Sequence, residues 1–94
     1  MMSNIPIDFT KVSKENIDKE ILRVGMIAEL DAVSLYEQLA AFTENNDIKK
    51  ILMDIAKEEK THVGEFQTLL LRLDKQQVEE LKAGEEEVKE ELGE

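Results

Sequence analysis

No cysteine and no tryptophan occur among the 94 residues. Without thiols the chain has no disulfide framework, no thiolate zinc site and no cysteine nucleophile, so any metal must be held by oxygen and imidazole ligands. The same lack fits a reducing compartment. Proline occurs once, at Pro6, and glycine four times, so little interrupts helix formation after the first dozen residues. Aromatic residues make up 4% of the chain, which leaves aliphatic side chains to build the core. Basic residues are the minority, 12 against 22 acidic, for a net charge of -10. That balance argues against nucleic acid or an anionic membrane as partner and favours cations. No apolar run approaches the ~20 residues of a membrane span. Met1 to Thr10, with Pro6 and Asp8, has neither the basic nor the apolar region of a signal peptide. A soluble cytoplasmic protein is the expectation. A domain this small buries a modest fraction of its surface, so oligomerisation is expected to supply part of its stability.

What is present is helical periodicity. Residues 1–12 read as an N-terminal extension, after which Ser13 offers an N-cap hydroxyl. From Ile17 to Phe42 apolar residues recur at spacings of three and four, with Gly25 as the interior weak point. The polar stretch Thr43 to Asp47 predicts a short turn, and a second periodic stretch runs from Ile48 to about Leu73. Two helices so joined run antiparallel, which makes 13–73 a helical hairpin. Asp74 can cap a shorter third helix, Lys75 to Ala83, with Gln77 in the capping-box position and Gly84 as its stop. The remainder, 85–94, is mostly Glu and reads as a frayed helix, a linker or an acidic tail. The fold class is all-α: an antiparallel two-helix hairpin, half of a four-helix bundle that dimerisation completes, plus a short C-terminal helix.

Polar residues interrupt both apolar seams. Helix 1 carries Leu22, Met26, Glu29, Val33, Tyr36 and Ala40 in strict alternation of four and three, with Glu29 mid-seam. Helix 2 carries Ile48, Leu52, Ile55, Glu59, His62, Phe66, Leu69 and Leu73, with Glu59 and His62 at its centre. A carboxylate facing a bundle core costs several kcal/mol unless it is neutralised, paired or bound to a metal. Glu29 lies about 16 residues before the turn centre and Glu59 to His62 about 15 after it, so at ~1.5 Å of rise per residue the three meet at one height. A Glu with a His three residues later puts a carboxylate and an imidazole side by side. Four-helix carboxylate proteins that hold two irons need a Glu from each of two helices and a Glu-x-x-His from each of the other two. This chain holds one of each, half of a four-Glu, two-His site that a two-fold dimer restores.

Blander readings compete. Glu59-x-x-His62 alone is weak in so acidic a chain, and Glu29 alone could be an ion-pair partner of Arg23 or of another chain's lysine. The shared height of three such residues favours the metal. Tyr36 is either a core aromatic or a hydrogen-bond partner of a ligating carboxylate. Asp31, Glu37, Glu58 and Glu65 read as solvated-face residues. Apolar residues outside the seams, among them Ile21, Leu35 and Phe42 on helix 1 and Ile51, Ala56, Val63 and Leu70 on helix 2, imply contacts beyond a single dimer.

The stretches IAELDAVSLYEQLA and DIAKEEKTHVGEF resemble the encapsulated ferritin family, short ferritin-like proteins associated with encapsulin nanocompartments. The similarity runs from about Lys14 to at least Leu73 and is close to the archaeal type that precedes an encapsulin shell protein, where LRLDKQQVEELKAGEEEVKE is also familiar. The resemblance implies a di-iron ferroxidase centre on Glu29, Glu59 and His62, with Tyr36 near the iron. It implies a site formed between two subunits, a ring-like decamer of five dimers, and residence inside an encapsulin shell. Of the two carboxylates at the outer metal-intake position of some relatives, one falls on Asp31 and the other on Ala28. The apolar targeting peptide of free-standing members has no counterpart in EEEVKEELGE, which points to fusion with a shell domain or to a piece of a longer chain. A rubrerythrin-like peroxidase is a rival, disfavoured because no cysteine is present for a rubredoxin-type centre. A non-catalytic helical adaptor is the rival from another class.

Overall fold

The computed structural model describes residues 7–94, so Pro6 and most of the segment searched for a leader lie outside the described residues. A single 3-10 turn, Phe9–Lys11, is closed by Asp8, whose carboxylate accepts from the Thr10 amide at 3.1 Å. Three helices follow: α1 over Ile17–Phe42, α2 over Asn46–Leu73 and α3 over Lys75–Leu92. No strand occurs among the described residues.

The helix boundaries follow from local chemistry. Ser13 is not the cap of α1; its hydroxyl accepts from the Asn16 side chain at 3.1 Å, one turn ahead of the helix, and Asn16 holds the N-cap position. The α1–α2 turn is tighter than the polar stretch implies. Asn45 ends it by accepting from the Asp47 and Ile48 amides at 3.0 and 3.1 Å, which starts α2 at Asn46. Asp47 then sits in the first turn, where the helix dipole favours an anion.

α1 and α2 pack antiparallel along their length. On α1 the expected seam faces inward, with Leu22 and Ala40 buried and Met26, Val33 and Tyr36 half-buried. On α2 the seam faces inward only at its centre. Ile48, Leu69 and Leu73 are exposed, while Ala56 and Leu70, expected outside the seam, are buried. A straight helix drifts about 20° per heptad against a 3.5-residue repeat, and over four turns on either side of the centre the inward line moves to neighbouring positions.

The chain does not close a core of its own. Its surface is 7417 Å², against roughly 5,500 Å² for a compact monomer of this mass. Its radius of gyration is 16.7 Å, against about 12 Å for a globule of this length. Extents of 46 × 44 × 21 Å describe a sheet-like object one helix pair thick, from which α3 projects. Large apolar side chains line its faces, Phe42 at 89% exposure the most open.

Asp74 makes the joint between α2 and α3. Its amide donates to the Leu70 carbonyl at 2.9 Å, ending α2, and its carboxylate accepts from the Gln77 amide at 3.0 Å, starting α3. The other carboxylate oxygen takes a hydrogen bond from Arg23 of α1 at 3.0 Å, while Arg23 also reaches Glu20 at 3.3 Å. The hydrogen bond from the Gln77 amide lowers the Asp74 carboxyl from its ordinary value, against a burial that raises it and with help from Lys19 and Arg23.

The third helix is longer than the sequence implied. Gly84 does not stop it; α3 continues to Leu92 and ends at Gly93, which takes the left-handed conformation at φ 71°. Seven of the eight residues from Glu85 to Leu92, five glutamates with Lys89 and Leu92, are strong helix formers, and Lys89 pairs with Glu85 at 3.3 Å and Glu86 at 3.6 Å. Those outweigh one interior glycine.

Two tests follow from these joints. A Cβ at Gly84 meets no atom within 4 Å, so Gly84→Ala is expected to stabilise α3 by about 0.5–1 kcal/mol. Slower amide hydrogen exchange across 85–92 would show it, and unchanged exchange would count against a continuous α3. For Asp74→Ala a lower thermal midpoint is expected at neutral pH. Because the folded carboxyl is lowered, its contribution is present above the ordinary carboxylate range and lost as pH falls through the lowered value. The gap to wild type should therefore narrow in acid; a gap of constant size from neutral pH downward would refute the role assigned to the ionised side chain.

Candidate metal centre

Glu29 comes from the middle of α1, and Glu59 and His62 from successive turns of α2. The antiparallel register brings them together: one ligand atom from each lies within 4.8 Å of the others. His62 Nδ1 is 3.4 Å from a Glu29 carboxylate oxygen and 3.3 Å from one of Glu59. Both carboxylates thus converge on one ring nitrogen at long hydrogen-bond distance. A single proton satisfies such a set poorly, whereas a cation among the three would touch all of them.

The dimensions and chemistry suit a transition metal. Bonds of about 2.0–2.2 Å to nitrogen and oxygen ligands place neighbouring donor atoms roughly 3–4 Å apart, the spacing from His62 Nδ1 to each carboxylate at 3.4 and 3.3 Å. Hard carboxylate oxygens with one imidazole suit divalent first-row metals, iron among them. The side chains of Glu29 and Glu59 are 21% and 19% exposed and that of His62 43%. The group is thus partly sheltered and opens on one side of the hairpin, and one chain supplies only three donors to it.

Other expected residues fall elsewhere. Arg23 engages Asp74 and Glu20 rather than Glu29, which removes an ion pair with Arg23 as an account of Glu29. Glu37 pairs with Lys60 across the hairpin at 3.0 Å. Tyr36 is half-buried on the same seam, seven residues past Glu29 and so about 10 Å further along the axis. No hydrogen bond joins it to the three ligands among the described residues. Asp31 is half-buried on α1 and is not one of the three converging groups.

Two apolar clefts lie away from this centre. One of about 300 Å³ is lined by Ile21, Leu22, Leu69 and Leu73 with Asp18 and Arg72 at the open end of the hairpin, and one of about 510 Å³ by Ala40, Ala41 and Met53 with Glu37 and Lys49 near the turn. Neither collects the converging polar groups that a small-molecule site needs.

What sequence reasoning left without a role is Gly25. A Cβ there would meet the Phe66 ring at 3.0 Å. The signal available was its position, four residues before Glu29 and beside Met26 of the apolar seam, in an otherwise strong helix.

Known proteins resemble this chain in sequence and in fold. The chain is 62% identical over 74 residues, 79% of its length, to a ferritin-like-encapsulin shell fusion protein of Pyrococcus furiosus, of which the match covers 21%. It is 38% identical over 69 residues, 70% of its length, to the encapsulin nanocompartment cargo protein EncC of Myxococcus xanthus, covering 53% of that protein. The chain therefore spans about a fifth and about half of these two relatives. The crystal structure of the encapsulated ferritin domain from Pyrococcus furiosus superposes with a TM-score of 0.84 at 52% identity, covering 100% of this chain and 98% of that one. Residues 6–84 match the EncFtn-like family, and with helices, register and sequence in agreement the chain belongs to that family, the encapsulated ferritins.

Proposed function

We propose that two copies of this chain join their open faces to complete a di-iron ferroxidase centre, in which Fe2+ is the substrate and O2 the oxidant. The observation that carries the reading is the convergence of Glu29, Glu59 and His62 within 4.8 Å from two adjacent helices. A two-fold partner supplies the same three groups, which gives the four carboxylates and two imidazoles of a di-iron bundle. In such a shell the carboxylates neutralise the charge of two ferrous ions and favour the ferric product, while the imidazoles retain affinity for the ferrous state. O2 takes one electron from each of the two irons and two protons from water and leaves as hydrogen peroxide, and the ferric ions leave for storage. Tyr36, further along the seam, is assigned to the wall of the completed centre, and Asp31, on the same helix, to the route by which ions approach. The net charge of -10 favours that approach.

Support for the wider setting comes from the relatives. One is named as fused to an encapsulin shell and another as encapsulin cargo. By that analogy the partner of this chain is an encapsulin shell and its place the shell's lumen, where a ring-shaped decamer would oxidise iron and the shell would hold the mineral. The open apolar surface of the single chain supports assembly beyond one dimer.

Anaerobic Fe2+ titration followed by exposure to air tests the site. Saturation near one iron per chain and ferric absorbance on oxygenation are expected, with iron retained only by even-numbered assemblies in native mass spectra. Glu29→Ala and His62→Ala should each lower the initial oxidation rate by at least tenfold with helix content unchanged by circular dichroism. Wild-type rates in both variants would sink the assignment, and peroxide-dependent turnover faster than O2-dependent turnover would mark a peroxidase instead.

A further inference from the structure

One turn from the candidate centre, toward the open end of the hairpin, Gly25 of α1 faces Phe66 of α2. Gly25 is four residues before Glu29 and Phe66 four residues after His62, so in an antiparallel pair they lie about 6 Å along the axis from Glu29 and His62 respectively. The half-buried ring rests against the bare backbone of Gly25. A Cβ at this position would stand 3.0 Å from two ring carbons and 3.1 Å from a third, well inside the ~3.5–4.0 Å optimum between carbons. A mid-helix glycine costs about 1 kcal/mol relative to alanine, so the sequence carries a helix-weakening residue at the α1 position where the ring approaches.

We propose that Gly25 and Phe66 form a spacer that sets the distance between α1 and α2 at the level of the metal centre, which makes them positioning residues for Glu29, Glu59 and His62. The inference rests on the metal reading of those three. A helical Phe is confined to two χ1 wells, and turning its ring about the softer χ2 leaves the tip carbon Cζ on the same axis, 3.0 Å from the added methyl. A methyl group at position 25 is therefore relieved by a parting of the two helices of a few tenths of an ångström. The effect on the centre is asymmetric. Glu59 and His62 share α2, so their 3.3 Å contact is preserved, whereas the 3.4 Å contact from His62 to Glu29 crosses between helices and lengthens. Metal–ligand distances tolerate about 0.2 Å, so a shift of this size reaches affinity. On the opposite side of the centre the next turn holds Val33 and Ile55, both half-buried branched side chains. The ligands thus sit between one level of ordinary aliphatic width and one level where glycine makes room for an aromatic ring.

Isothermal titration of the full chain with Co2+, which is not oxidised by air under these conditions, tests the spacer without reading activity. Gly25→Ala is expected to weaken Co2+ binding by roughly tenfold or more, and Gly25→Ala with Phe66→Leu to recover most of that loss, because a leucine end gives way where the ring does not. Affinity at the wild-type level in Gly25→Ala, or no recovery in the double variant, would overturn the proposal. If Gly25→Ala alone does not fold, the comparison moves to the double variant against Phe66→Leu: equal affinities support the spacer and a weaker double variant refutes it. Glu29→Ala separates the two layers of inference. Loss of Co2+ there with full binding by Gly25→Ala rejects the spacer and leaves the site standing, while retention of Co2+ by Glu29→Ala rejects the site and the spacer together.

Discussion

Two carboxylates and an imidazole placed at one height between apolar helices create an electrostatic demand that this chain alone meets only by leaving them open to water. Glu29, Glu59 and His62 are partly exposed on the hairpin face, so solvent carries the cost in the single chain. Covering that face with a second apolar surface would remove the water. Several kcal/mol per charge would then have to come from positive charge inside. Under the proposed function, metal capture and pairing of subunits would be one event, since each would offset the cost of the other. The rest of the design, from the register of the hairpin to the width at Gly25, serves to bring the three groups to a common focus.

The same economy explains the poor core. Leu22, Ala40, Ala56 and Leu70 are the buried apolar residues, and two of the four are alanines. Such small side chains let helices approach but bury little area. The larger aliphatic side chains, Ile21, Leu30, Leu39, Ile48, Ile51 and Leu73 among them, face outward. In a protein that works alone this distribution would be a liability; in one that works as part of a larger object it is a store of association energy held back from folding.

The sequence made the centre easier to read than the packing around it. Glu29, Glu59 and His62 were legible because helical period and turn position fix axial height, and height alone brings them together. The end of α1 at Phe42 was legible for the same reason, though its start was not, since Asn16 and not Ser13 holds the N-cap; Asp74 was legible because an N-cap acid with Gln77 three residues on is a local signal. The inward line of α2 was not: an even alternation of four and three assumes a 3.5-residue repeat, and a straighter helix carries Leu69 and Leu73 outward and Leu70 inward. Gly84 misled because a glycine stops a helix only where the following residues do not sustain it, and here Glu85, Glu86 and Lys89 do. The tight fit of Gly25 and Phe66 depends on a contact across the hairpin that no one-dimensional pattern records.

Asp74 closes one helix, opens the next and is tied to a third by Arg23, all within a single residue. A junction of that length has no slack to absorb change. An inserted residue would rotate everything after it by about 100° around the axis of α3, swinging Leu81, Val88 and Leu92 away from whatever they meet. The loop at Thr43 to Asn45, by contrast, could lengthen without altering the heights of the ligands. Length variation in this architecture is thus permitted at one end of α2 and forbidden at the other.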